Sequence, residues 1–267
     1  QLVGIKKTFN SIIGLGSVFI SRNFFLKFFI TNLLRFTLFL KNSHILVQNK
    51  DDHIFFKKKI WIRKKNLHLN TTSGINLKEY TASKEPKGKI IFLFASRILK
   101  DKGIMELIQA SKKLSKITKN FELYIAGNID RQNPSSVSHE EIKSWEALDY
   151  LKYIGHVNNM NDLYKKIHVS ILPSYREGLP KGLLEAAACG KPIITTDVAG
   201  CRDVVINGKN GILINPKNSD ELFLAMKKMV RNKRIRLAMG KEGRNFIKKN
   251  FLLENTVKNL IDLYNNC

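Results

Sequence analysis

The sequence predicts an α/β protein: a doubly wound parallel sheet with helices on both faces, plus part of a second domain. Three observations predict it. From about Lys89 onward, short apolar runs alternate with amphipathic stretches at a regular rhythm. Runs such as IIFLFAS (90–96) are apolar throughout, the pattern of strands buried on both sides. The chain has 267 residues, 43% of them hydrophobic, enough for one large or two modest domains with a real core.

The elements follow in order. IIFLFAS leads to a helix from about Gly103 to Leu114, and FELYIAG (121–127) is the next strand. HEEIKSWEAL (139–148) reads as a helix, LKYIG (151–155) as a strand and MNDLYKKI (160–167) as a helix. VSILPS (169–174) is a strand that runs into SYREGLPKGLLEAAACGKP (174–192). Pro180 suits the first turn of a helix and Gly190 its stop, so a helix is expected from about Pro180 to Ala188. KPIITTD (191–197), GILINP (211–216) and the helix SDELFLAMKKMV (219–230) complete the series. Residues 84–250 therefore read as one domain, followed by a C-terminal helix over 251–267. Ligands of such folds sit at the carboxyl ends of the strands, where helix amino termini point N–H groups.

Residues 1–83 differ. RNFFLKFFITNLLRFTLFLK (22–41) is the most apolar segment, yet Lys27, Asn32 and Arg35 interrupt it, and no run reaches the length of a membrane span. Asn23, Lys27, Thr31 and Arg35 recur every four residues, one polar stripe on an apolar helix. That helix is either core, packing against strands that this chain lacks, or lies in a membrane interface, and the core reading is preferred. ILVQ (45–48) reads as a strand, KDDHIFF (50–56) as a capped helix start, and LHLNTTSGINLKEY (67–80) as a strand entering a loop.

The 46 Lys+Arg against 22 Asp+Glu give a net charge of +24. This predicts attraction to anions, although the excess is spread along the chain and is compatible with a general compositional bias. A nucleic-acid partner is excluded, for no aromatic–basic recognition signature or zinc spacing is present. Cys189, Cys201 and Cys267 are odd in number and far apart, the pattern of reduced thiols in a cytosolic protein, and no metal-ligand spacing occurs. The first residue is Gln1 and no signal-peptide pattern follows, so a fragment of a longer chain is expected.

Glu177 and Glu185 stand around the predicted helix start with seven residues between them, in a chain short of acids. Glu185 falls about five residues into the helix, and helical side chains tilt toward the amino terminus, so its carboxylate can reach back to the helix mouth. There it can accept two ribose hydroxyls while Glu177 meets a second sugar. The plainer reading, acids complementing the helix dipole, fits Glu185 poorly because the first turn is already past. Arg97 and Lys102, in ASRILKDKGI (95–104), follow the strongest strand and can converge on a diphosphate. In so basic a chain their position carries the inference, not their type.

FASRILKDKGI, AGNIDRQNPSSVSHEE, LKYIGHV, ILPSYREGLPKGLLEAAACGKPIITTDVAGCRDVV and NGKNGILINP follow one another in the order and spacing of the retaining glycosyltransferases of family four, whose donor half they resemble. EGLPKGLLE resembles the E-x7-E signature of that family. The likeness covers about 90–250 and extends loosely through GLGSVF (14–19), VQNKDD (47–52) and SGINL (73–77). It implies the two-domain GT-B fold, with 1–83 as a remnant of the acceptor domain and 84–250 as the nucleotide-sugar domain. It implies that Glu177 contacts the transferred sugar, Glu185 holds the ribose, and Arg97 and Lys102 bind the diphosphate without a metal. Gly178 and Leu179 fall where backbone N–H groups face sugar or phosphate, and Gly127 and Gly155 near the base. NPSSVS and AGCRDVV resemble the subgroup acting on polyprenol-linked sugars, which implies a UDP-activated, N-acetylated hexosamine as co-substrate and no further cofactor. A lipid-linked or polysaccharide acceptor and peripheral contact with an anionic membrane on its cytoplasmic face are expected with it. The alternatives are a UDP-sugar-binding module without catalysis, and a phosphorylase or epimerase of the same architecture. The family's acceptor-domain histidine has no counterpart among His44, His53, His68, His139, His156 and His168, and none is given a catalytic role.

Overall fold

The computed structural model of the chain describes residues 7–15, 24–38, 42–69 and 73–266. Two parallel sheets organise it. The first has three strands in the order β1 (Thr8–Ile12), β2 (Ser43–Val47), β3 (Leu67–Leu69), with α1 (Phe24–Leu38) and α2 (Lys50–Phe55) in the crossovers. Asn49 starts α2 by accepting the Asp52 N–H on its side chain at 2.8 Å, and the helix loosens into a π-turn over Phe56–Ile60. Ile45, Val47, Phe56, Ile60 and Leu67 form the small core of this lobe.

The second sheet has six strands, all parallel, in the order β6-β5-β4-β7-β8-β9. They are β4 (Ile90–Ala95), β5 (Phe121–Ala126), β6 (Leu151–Gly155), β7 (Val169–Leu172), β8 (Ile193–Thr196) and β9 (Gly211–Ile214). Between them run α3 (Ile104–Ser115), α4 (His139–Glu146), α5 (Met160–Lys166), α6 (Lys181–Ala188) and α7 (Cys201–Val204), and α8 (Ser219–Arg231) follows. Val169, Ile171, Ile193 and Ile194 are fully buried, as strands covered on both faces must be. The order reverses between β4 and β7. Loops leaving these two neighbours turn to opposite faces, so a crevice opens at their carboxyl ends.

Two helices finish the chain: α9 (Lys233–Asn250) and α10 (Leu253–Asn266). The former has no counterpart among the elements read from sequence. It packs against α6 through small residues, and a Cβ on Gly240 would lie 2.0 Å from the Gly190 carbonyl oxygen. α10 returns to the first lobe, where the Tyr264 ring meets Phe9 edge-on at 4.5 Å.

Within this chain the helix expected over 22–41 packs on one side only, and no described strand covers the other side. None of the described residues of α1 is buried, whereas Phe24, Phe25, Phe28, Phe29 and Phe36 are 61% to 83% exposed. Leu34 and Leu38 pack onto the first lobe instead, on the same side as the half-buried Lys27 and Thr31 of the polar stripe. A stripe repeating every four residues marks one side of a helix but not which side faces solvent. Asn23 of that stripe lies outside the described residues, as does Cys267.

Candidate functional site

Lys102 and Glu177 come together although 75 residues separate them. β4 ends at Ala95, and a 3₁₀ turn over Lys100–Lys102 carries the chain to Gly103, whose φ of 74° suits glycine. A Cβ there would lie 2.0 Å from the Pro173 carbonyl oxygen, so the β4 loop lies directly on the end of β7. On the β7 side the Asp101 carbonyl accepts the Tyr175 N–H at 2.9 Å. Lys102 Nζ then donates to Glu177 Oε1 at 2.7 Å, with both side chains less than a fifth exposed.

This pair stands in a cleft of about 430 Å³ between the lobes. Ile13, Gly14 and Leu15 line one wall, and Arg97, Asp101, Lys102, Asn133, Arg176, Glu177 and Gly178 the other. Arg97 is well exposed and reaches Asp130 at 3.0 Å. Both expected phosphate ligands therefore rest on carboxylates, a standing supply of positive charge that an incoming polyanion can take over.

The Glu177–Gly178 loop is pinned from three directions. Glu177 N–H donates to Ala199 O at 3.3 Å, and Ser174 Oγ donates to Arg176 O at 3.1 Å. From the first lobe, Asn49 Nδ2 donates to Gly178 O at 2.9 Å and to Asp52 Oδ2 at 2.9 Å. Asp52, fully buried, also pairs with Arg176, and Asp51 stands 3.5 Å from Arg202. Gly178 permits this contact: a Cβ on it would fall 1.6 Å from Ile13 O.

Arg97, Lys102, Glu177 and Gly178 are thus brought to one cleft. Glu185 is not among the residues lining it. Its buried carboxylate accepts from Tyr80 Oη at 2.9 Å and Tyr164 Oη at 3.4 Å, with Lys181 Nζ at 3.6 Å. Burial pushes its pKa above the ordinary carboxylate range, while the Tyr80 and Lys181 contacts pull it back. Leu179 is buried in the main core. Gly127 and Gly155 lie together at the ends of β5 and β6, where Gly127 N–H donates to Gly155 O at 2.7 Å, and neither lines the cleft.

Sequence reasoning missed Asn49, Asp52 and Arg176. A signal existed: Asp51 and Asp52 are the only acids in the first 78 residues. Neither cysteine thiol described is a nucleophile at neutral pH, for burial pushes both Cys189 and Cys201 up to about 12. His168 is structural: its Nδ1 accepts the Ile91 N–H at 3.0 Å, and Nε2 meets Pro86 O at 3.1 Å.

The model of the family described as glycosyl transferases group 1 matches residues 78–246. The chain belongs to this family. Among curated relatives of this group 1 chain is the N,N'-diacetylbacillosaminyl-diphospho-undecaprenol alpha-1,3-N-acetylgalactosaminyltransferase of Campylobacter jejuni, 28% identical over 90% of the chain. Another is the capsular polysaccharide biosynthesis glycosyltransferase CapM of Staphylococcus aureus, 28% identical over 64% of the chain. The chain spans 65% and 45% of their respective lengths. Among solved structures, sucrose-phosphate synthase from Thermosynechococcus elongatus superposes with a TM-score of 0.81, at 22% identity, over 97% of this chain and 67% of that one. HepE of Anabaena, solved with UDP and glucose, gives 0.79 at 16% identity over 98% and 72%. The fold of this group 1 chain is that of the GT-B glycosyltransferases.

Proposed function

We propose that the cleft takes the diphosphate and sugar of a UDP-sugar, and that the protein transfers the sugar, with retention at the anomeric carbon, to a hydroxyl of a lipid-linked or polysaccharide acceptor. The observation that carries this reading is the Lys102–Glu177 pair at 2.7 Å, set where the strand order reverses and beside Arg97. The activities named for the Campylobacter and Staphylococcus relatives support the acceptor class, and the former supports an N-acetylated hexosamine as the sugar.

As the bond between the anomeric carbon and the phosphate oxygen breaks, negative charge grows on the departing diphosphate and positive charge on the ring; the acceptor oxygen then bonds to the anomeric carbon and its proton passes to the diphosphate. Arg97 and Lys102, exchanging Asp130 and Glu177 for phosphate oxygens, stabilise the first in the role a metal ion would otherwise fill. Glu177, released from Lys102, accepts ring hydroxyls and favours the oxocarbenium character of the sugar. Gly178 lets the Ile13–Gly14 backbone close over the same space, which limits water there. Glu185 uses the lone pairs left over from Tyr80 and Tyr164 for the ribose hydroxyls, and Gly127 and Gly155 shape the neighbouring strand ends for the base.

A second reading is favoured by the chain's partial span of its relatives: a UDP-sugar-binding module that does not itself transfer. One experiment separates the two. UDP is titrated calorimetrically, and labelled UDP-N-acetylhexosamine is incubated with the chain and a polyprenol-linked acceptor. Binding with transfer is expected; binding without product selects the module. UDP affinity unchanged by Arg97→Ala and by Lys102→Ala removes both readings.

A further inference from the structure

The first lobe presents a surface that the transfer reaction does not use. α1 is 15 residues long, about 22 Å at 1.5 Å per residue, and no helix among the described residues is long and apolar enough to cross a membrane. At 100° per residue, Phe24, Phe28, Phe25, Phe36 and Phe29 fall within an arc of about 140° that faces solvent. Phe24 stacks along Phe28 at 6.5 Å and meets Phe25 edge-on at 6.1 Å, so these three rings join into a ridge, with Phe29 and Phe36 exposed along the same side. Exposed aromatic surface of this extent marks a contact site.

A cationic segment is clasped to that ridge. Arg35 Nε donates to Lys59 O at 2.8 Å, and its guanidinium lies 4.3 Å over the Trp61 ring. Around this clasp Lys57, Lys58, Lys59, Arg63, Lys64 and Lys65 are all exposed, as is Trp61 itself at 74%. Residues 1–78 contain fourteen Lys and Arg against only Asp51 and Asp52, and both acids face arginines of the second lobe. A second copy of this lobe would meet like charge with like charge. A phenylalanine ridge, a tryptophan at its edge and a lysine-rich border match a bilayer surface with anionic headgroups.

We propose that α1 and segment 57–65 form one docking surface that lies in the headgroup region of an anionic membrane, with the phenylalanine ridge at the acyl boundary. This rests on exposure and charge in the first lobe, not on the donor reading, and vesicle binding tests it without any turnover.

The experiment is flotation of the chain with vesicles of phosphatidylcholine alone, or with roughly a third of it replaced by phosphatidylglycerol. Trp61 emission is followed over the constant background of the buried Trp145. Binding to the anionic vesicles is expected, weakened by salt, with a blue shift that Trp61→Phe abolishes. Phe25→Ser/Phe29→Ser should weaken partition about ten- to a hundred-fold. Lys57→Ser/Lys58→Ser/Lys59→Ser should weaken it about five-fold per lysine, roughly a hundred-fold together. Lys248→Ser/Lys249→Ser, at exposed positions on α9, should leave it unchanged. Equal binding to neutral vesicles, an unshifted Trp61, or an equal loss in the α9 control would overturn the proposal. So would a lower melting midpoint of Phe25→Ser/Phe29→Ser without vesicles, the sign of a face covered by protein, or a dimer in solution that this variant dissolves.

Discussion

Removing Lys102 should disturb UDP binding in two ways that can be separated. Lys102→Ala deletes a charge-assisted donor to the diphosphate, worth about 1.5–3 kcal/mol, or roughly 10- to 150-fold in Kd. It also strands the Glu177 carboxylate, whose side chain is only 13% exposed, in front of the incoming phosphates. Two like charges about 4 Å apart repel by ~4 kcal/mol at an effective dielectric of about 20, before salt and the remaining solvent reduce it. The single variant should therefore bind UDP at least about a hundred-fold more weakly than the parent. Lys102→Ala/Glu177→Gln, which removes the stranded charge, should recover about ten-fold of that loss. UDP is the right titrant because it carries no transferred sugar, so the loss of Glu177 as a sugar ligand does not enter. Calorimetric titration of both variants, with thermal melts to confirm folding, measures the difference. A double variant that binds no tighter than the single one would refute a cleft in which Lys102 neutralises Glu177 until phosphate arrives.

Other outcomes follow from the same geometry. Arg176→Ala leaves fully buried Asp52 without its guanidinium and should cost about 3–5 kcal/mol in urea unfolding, partly restored in Asp52→Asn/Arg176→Ala. Gly178→Ala puts a methyl 1.6 Å from Ile13 O, and since that oxygen is backbone, the lobes must part; a loss of about 1–3 kcal/mol in melts and weaker UDP binding are expected. Burial lowers the His168 pKa below its ordinary value of 6.5. The unfolded chain therefore takes up the proton first, and the stability His168 contributes, complete above that value, is lost as the pH falls through it toward the lowered one. Urea midpoints between about pH 7 and about pH 5 should fall more steeply in the parent than in His168→Gln.

Strand and helix identities in 90–230 were legible because both-face burial writes itself as uninterrupted apolar runs: Ile90–Ala95 and Val169–Leu172 appear where IIFLFAS and VSILPS placed them. That Arg97, Lys102 and Glu177 line one cleft followed from the rule that loops at strand ends converge. Cross-lobe contacts were not legible. Asn49, Asp52 and Arg176 meet through tertiary packing over more than 120 residues, which no local period encodes. α9 escaped because its lysines and glycines give a weak apolar stripe, and its glycines serve a close approach to α6 that only the assembled fold reveals. Glu185 was placed correctly near the helix start, but its partners Tyr80 and Tyr164 come from distant segments and decide where the carboxylate points.

The chain passes between the lobes twice, and the two passages run side by side. Ile75 N–H donates to Phe251 O at 2.7 Å, and Leu253 N–H donates to Ile75 O at 3.1 Å. The two segments meet in a parallel bridge between Ile75 and Leu252. Any relative movement of the halves must bend both segments together, and it must also part the Asn49–Gly178 tie.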